Sequence, residues 1–263
     1  MAMALVVSQD NLVNLFSIFI MSLFDHKSIR RYTNKPIASD VLNKILSAGV
    51  RGSNTGNMQL YSIIVSQDDS VKAKLAPAHF NQPMVMSAAA VITVCADVNR
   101  MNKWCSARNA DAAFNNSETF VSAMVDAVIV AQNIAVAAED EGLGICFLGT
   151  TTYNPDQIIK ALNLPRGVFP VTTLTVGYPD ENPGLTERLP LEAVVHYESY
   201  SDYSLDDINN FYAAKESNPA NQSFVAENSK ENLAQVFSEV RYPRQSNEAF
   251  SKILDASIAR QFL

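Results

Sequence analysis

Thr119-Phe-Val-Ser-Ala-Met-Val-Asp-Ala-Val-Ile-Val-Ala-Gln-Asn-Ile-Ala-Val-Ala-Ala-Glu139 reads as one long helix. It is apolar almost all round, through Ala123, Val125, Ala127, Val128, Val130, Ala131, Ile134, Ala135 and Ala138. A helix with no polar face belongs in the middle of a structure, with other layers around it. Gly142 and Gly144 end it. Upstream, Ala90-Val-Ile-Thr-Val-Cys-Ala96 is nearly all apolar, the pattern of a central strand in a sheet covered on both faces. Leu60–Ser66 is a second short strand. Val171–Gly177, β-branched and half alternating, is a third. The segment Ile145–Gly149 leads into a Thr-rich turn, and Asp156–Leu162 makes a small helix before Pro165. Ser39 and Asp40 offer N-cap side chains to a helix through Ala48, which Gly49 and Gly52 stop.

The chain has 263 residues, of which 48% are hydrophobic and 18% charged, with 20 Lys+Arg against 27 Asp+Glu and a net charge of −7. That balance excludes a disordered chain, and its acidity argues against general binding to nucleic acid or an anionic membrane. Cys95, Cys105 and Cys146 are odd in number and lack metal or redox spacing, so they read as reduced thiols of a cytoplasmic protein. His26, His79 and His196 are scattered, and no metal site is expected. The apolar run Leu12–Phe24 has no preceding Lys or Arg and no small-residue cleavage site, which argues against a signal peptide. It is too short to span a bilayer. Its helical spacing predicts an N-terminal amphipathic helix within residues 1–24, packed on the body or on a partner subunit; Met21 is an alternative natural start. From about Ser199 the chain turns polar and helical, with aromatics at intervals from Tyr200 to Phe250. A helical extension over 199–263, wrapped on the core 25–198 or on a partner, gives those rings somewhere to bury.

No G-x-S-x-G, Walker A or H-E-x-x-H motif is present; if the chain is an enzyme, a cofactor rather than a side-chain triad is expected to carry the chemistry. Four segments supply binding groups. In the basic stretch His26-Lys27-Ser28-Ile29-Arg30-Arg31, alternate residues of an extended chain share a side. An imidazole, a hydroxyl and a guanidinium fork there suit a phosphate. Ser53-Asn-Thr-Gly-Asn-Met-Gln59 is a loop of neutral donors and acceptors. Gly144–Tyr153 holds Gly149, where a ligand can approach the backbone closely. Gly184-Leu-Thr-Glu-Arg188 contributes one cation. Each alone reads as an ordinary surface loop.

In this order the segments resemble the FMN-dependent nitroreductase family, closest to the oxygen-insensitive major nitroreductases and related NADPH–flavin oxidoreductases. The likeness runs from His26–Pro36 through Asn81-Gln82, Val94–Arg100, Ala131–Ala135 and Gly142–Gly149 to Gly177–Pro190. It implies an α+β nitroreductase-like fold: a central, mostly antiparallel sheet flanked by helices, with a helical C-terminal extension. It also implies that His26, Lys27, Ser28, Ile29 and Arg30 hold the FMN phosphate and ribityl chain, and that Ser53 contacts the flavin. Gln82 would bond the isoalloxazine edge. Phe147, Leu148, Gly149 and Thr150 would line the ring, with a backbone amide near Gly149 facing N5, and Arg188 would complete the phosphate site. Gln59 matches a recurrent glutamine of the family. Thr186 stands where close relatives carry a lysine, which removes one cation and would loosen FMN.

The activity implied is hydride transfer from NADPH or NADH through flavin N5 to nitroaromatics, quinones or flavins, in two-electron ping-pong steps, by a homodimer whose subunits share the site. Lys215, Lys230, Arg241 and Arg244 read as surface charges. The competing readings are a member with other flavin chemistry (dehalogenase, oxidase or flavin-destroying) and a flavin-binding protein without turnover. A basic-loop nucleic-acid binder ranks last.

Overall fold

Every residue of Ala90–Asp97 is buried, and the alternation of side chains explains why all of them must be apolar or paired. Ala90, Ile92 and Val94 join one core cluster with Ala127, Val130, Ala131 and Ile134, whereas Val91 packs on the opposite face with Leu75, Val85 and Ala88. The computed structural model describes residues 23–263. The predicted N-terminal helix therefore lies almost wholly outside the described residues. The strands are β1 (Tyr61–Ser66), β2 (Ala90–Asp97), β3 (Gly144–Phe147) and β4 (Val168–Gly177). They form a sheet of order β1-β2-β4-β3, antiparallel throughout. The helices are α1 (Ser39–Gly49), α2 (Asp69–Leu75), α3 (Pro83–Ser87), α4 (Asn99–Ser106), α5 (Ser117–Asp140), α6 (Pro155–Ala161), α7 (Leu205–Ser217), α8 (Pro219–Glu227), α9 (Leu233–Gln235) and α10 (Arg244–Gln261). This is the α+β architecture expected.

Three sequence expectations need correction. The predicted N-caps Ser39 and Asp40 are the first residues inside α1; Ala38 holds the cap position with no side-chain bond, and Asp40 serves the helix as a first-turn acid. Strand β4 begins at Val168 and runs through Pro170, tolerated in an interior strand because the β2 register shifts between Val94 and Cys95 at that point. Helix α5 is not buried all round. Thr119, Ala123, Asp126, Ala127, Val130, Ala131, Ile134, Ala135 and Ala138 are buried. Val121, Val125 and Val128, on the opposite side at helical spacing, stay 52%, 47% and 50% exposed.

Gly49 marks how closely α1 approaches α5: a Cβ there would stand 2.5 Å from Ile134 Cγ1. The residues fall into two compact units, one reaching to Leu185 and including Lys252–Leu263, the other Thr186–Ser251. The second unit holds α7 to α9; Ser204 caps α7 in a capping box with Asp207, and Asn218 caps α8. After α9 the chain continues as a π-helical segment, Val236–Arg241.

Candidate functional site

The basic segment lies along the free edge of β3. Ser28 bridges Ile145 in parallel and Ile29 N–H donates to the Ile145 carbonyl over 2.8 Å. A Cβ on Gly144 would stand 2.6 Å from Ile29 Cγ1, so only glycine lets the two stretches come this close. Gly144→Ala is accordingly expected to destabilise the fold by about 1–3 kcal/mol through overpacking, read as a lower urea midpoint. Within this segment Ile29 and Tyr32 are buried; the Tyr32 hydroxyl donates to the Ile29 carbonyl (2.6 Å) and meets Thr175 Oγ1 (2.8 Å).

The charges of this segment are divided. His26 Nδ1 donates to Glu139 Oε1 (2.7 Å), and burial raises the pKa of Glu139 against the lowering effect of that contact. Lys27 Nζ donates to Asn182 Oδ1 (2.9 Å). Glu181 accepts from the backbone N–H of Arg30 (2.5 Å) and Arg31 (3.1 Å) and from Arg31 Nε (3.1 Å). Those bonds, the Arg30 amide foremost, hold its carboxyl below the usual carboxylate range. The Arg30 guanidinium remains exposed, with a long 3.5 Å bond to the Ser28 carbonyl and a side-chain contact with the Cys146 thiol. A cleft of about 560 Å³ on one side of the segment is lined by Asp25, Glu139, Asp140 and Glu181 against Lys27. Its charge is the wrong sign for a phosphate, which points to Arg30 rather than to the cleft.

Strand β3 continues into the turn Gly149–Thr152, so Phe147, Leu148, Gly149 and Thr150 begin where the basic segment is paired. Leu148 is buried, with its N–H given to the Thr173 carbonyl (2.8 Å), while Gly149 is exposed. As first residues of the turn, Gly149 and Thr150 have backbone N–H groups without an acceptor inside it. Gln82 is brought to the same place. Phe80 and Asn81 both adopt left-handed φ of 53°, a conformation that costs a bulky residue energy, and this sharp reversal presents Gln82 at the start of α3. The reversal is stitched to the Gly149 turn by three contacts: His79 Nδ1 to Thr150 Oγ1 (2.8 Å), Asn154 Nδ2 donating to the Ala78 carbonyl (3.1 Å), and the Phe80 ring edge-on to Tyr153.

Two sequence-predicted residues belong to other segments of the chain. Exposed Ser53 belongs to the loop before β1, the opposite sheet edge from β3. Asp126 of α5 pins that loop, its Oδ1 accepting from Thr55 N–H (2.9 Å) and its Oδ2 from Leu60 N–H (3.2 Å). Arg188 stands in the second unit, exposed, with Nη1 donating to the Thr186 (3.0 Å) and Glu187 (3.3 Å) carbonyls. Sequence reasoning missed Glu139, Glu181, His79 and Asp126. Only Asp126 carried a signal: a carboxylate on the buried stripe of an apolar helix requires partners.

Residues 23–178 match the Nitroreductase family. The chain belongs to the nitroreductase family. An NADPH-dependent oxidoreductase of Staphylococcus aureus (strain USA300) is 36% identical over 179 residues, 66% of this nitroreductase and 71% of that relative. A crystal structure from Bacteroides fragilis NCTC 9343 is 50% identical, with a TM-score of 0.90 over 92% of this chain and 98% of that one. The NADPH:FMN oxidoreductase from Vibrio harveyi, complexed with NAD+, is 28% identical with a TM-score of 0.72, covering 87% of this chain and 97% of its own.

Proposed function

We propose that this nitroreductase passes two electrons from NADPH or NADH, by way of FMN, to nitroaromatics, quinones or flavins in ping-pong fashion. The broader statement, an NAD(P)H-dependent oxidoreductase with FMN as its cofactor, follows from family membership. The observation that carries the finer reading is the convergence of an exposed Arg30, the Gly149–Thr150 turn and Gln82 at one sheet edge. The donor set fits FMN: a guanidinium for the phosphate, a neutral amide for the heterocycle's polar edge, and the apolar Phe147-Leu148 stretch for a planar ring.

When bound, FMN supplies the hydride chemistry. The chain's own part is to hold and orient: Glu181 fixes the backbone of Arg30, whose exposed guanidinium lies beside the Cys146 thiol, and the Gly149 and Thr150 amides offer donors to the ring. Preorganised donors of that kind act most strongly where negative charge develops. No side-chain acid, base or nucleophile is required.

The site is shared in a cytoplasmic homodimer, with Ser53 supplied across the interface. Two facts support this: Ser53 and Arg30 lie at opposite sheet edges, and α5 turns an apolar stripe to solvent beside the Ser53 loop. The helical region beyond residue 199 is a second dimer element.

The purified protein is expected to be yellow and to bleach under anaerobic NADPH or NADH. A preparation that stays colourless with excess FMN overturns the proposal; one that binds FMN but does not bleach favours a non-turnover flavin protein. Arg30→Ala is expected to loosen FMN roughly ten- to hundredfold, the usual loss of a charge-assisted contact. Unchanged flavin content would remove Arg30 from the phosphate site. Arg188→Ala is expected to act in the same direction, and Thr186→Lys, by restoring a cation, to tighten FMN.

A further inference from the structure

We infer that His79 is a positioning residue that directs the Thr150 hydroxyl as a hydrogen-bond donor to the flavin; this rests on the FMN reading above. His79 has no exposed surface and closes the 3-10 turn Ala76–His79. Its ring nitrogens are unequal: Nδ1 lies 2.8 Å from Thr150 Oγ1, whereas Nε2 is buried and has no hydrogen-bond partner among the described residues. Burial pulls the ring's pKa down to about 4, so the imidazole is neutral at physiological pH and carries one proton. On Nε2 that proton would make a buried N–H with no acceptor, a rarer state in folded proteins than a buried acceptor with no donor. The proton therefore sits on Nδ1, and His79 donates to Thr150.

The consequence falls on Thr150. Its oxygen already accepts from His79, so its own hydrogen is left for another acceptor, and among the described residues the hydroxyl makes no other hydrogen bond. The same histidine also holds Gln82, whose N–H donates to the His79 carbonyl over 3.1 Å. One residue thus keeps two proposed flavin-contacting residues in register, Thr150 through its ring and Gln82 through its backbone carbonyl. A donated bond to the ring strengthens as the ring gains electrons, so losing it should lower the midpoint potential of bound FMN as well as weaken binding.

The test uses the full chain loaded with FMN and three variants. His79→Phe fills the space without a donor, His79→Asn keeps a donor near the Nδ1 position, and Thr150→Val removes the hydroxyl. Readouts are the FMN dissociation constant by fluorescence, the midpoint potential, and the thermal unfolding of flavin-free protein. His79→Phe and Thr150→Val are each expected to raise Kd roughly tenfold, about one hydrogen bond, and to lower the potential. His79→Asn should stay within about threefold of wild type by the same measure. The double variant His79→Phe/Thr150→Val should be no worse than Thr150→Val alone, since both remove one bond. Nitrogen-15 NMR of the wild-type histidines should find Nδ1 protonated and Nε2 bare.

Native Kd and potential in His79→Phe, fully additive losses in the double variant, or a proton on Nε2 would each overturn the role while leaving FMN binding intact. If His79→Phe does not fold, His79→Asn, Thr150→Val and the NMR measurement decide. A wild-type chain that takes up no FMN overturns the FMN reading itself, and this role with it.

Discussion

Val125→Glu is expected to convert a yellow dimer into a folded monomer that has lost most of its FMN. Val125 lies between Val121 and Val128 on the outward stripe of α5, and all three are about half exposed. Among the described residues their side chains join none of the buried core clusters, so the substitution should leave unfolding of the isolated subunit within about 0.5 kcal/mol of wild type. Across a dimer interface the same stripe is dry. A carboxylate placed there without a partner costs about 3–5 kcal/mol, which weakens association by roughly two to four orders of magnitude. The loop carrying Ser53 packs on this helix, where a Cβ on Gly52 would come within 3.0 Å of Ile129 Cγ2. Dissociation should therefore also remove Ser53 from the partner's flavin. Light scattering and the flavin absorbance ratio read both effects in one sample. A variant that remains dimeric would move the interface off α5. A monomer that keeps its FMN would show that each subunit closes the site alone.

The outward stripe also marks how far residue patterns carry. Apolar periodicity records that a face avoids water, and it is silent on which chain covers it. The reading of Thr119–Glu139 as a central helix was right for Ala123, Val130 and Ile134 and wrong for Val121, Val125 and Val128. Strand β2 was legible because both of its faces meet core, so composition and burial say the same thing there. The basic segment was legible as extended chain and as a cation source. Its anchoring was not, because Glu181, Glu139 and Ile145 lie more than a hundred residues away in sequence. His79 gave no local sign of its role: a lone histidine between Ala78 and Phe80 acquires meaning only when Thr150 arrives from 71 positions further on. The left-handed Phe80 is equally silent, since tertiary contacts to Tyr153 and Asn154 hold a conformation that its own preference opposes.

Asp126→Ala is expected to destabilise the chain by about 2–6 kcal/mol and, separately, to weaken FMN. The carboxylate is 1% exposed on the inner face of α5, and each oxygen takes one backbone N–H, from Thr55 and from Leu60. Removing it leaves two donors without acceptors, at about 1–3 kcal/mol each. Asp126→Asn retains one acceptor oxygen but turns an NH2 toward the second donor, so its loss should be intermediate. The local effect is distinctive. Between the two pinned amides the backbone takes left-handed φ at Gly56, Asn57 and Gln59, a path the chain does not hold by its own preference. With the carboxylate gone, Thr55 and Leu60 should exchange their amide hydrogens faster than the residues of β1, and Ser53 should lose its fixed place. Ser53→Ala provides the comparison, since it removes the hydroxyl and leaves the pins intact. It should weaken FMN with unfolding within about 0.5 kcal/mol of wild type, as for other exposed positions. If Asp126→Ala lowers stability and speeds exchange at Thr55 and Leu60 while FMN binds as before, then the Ser53 loop lies outside the flavin site, and the shared-site arrangement fails at that residue.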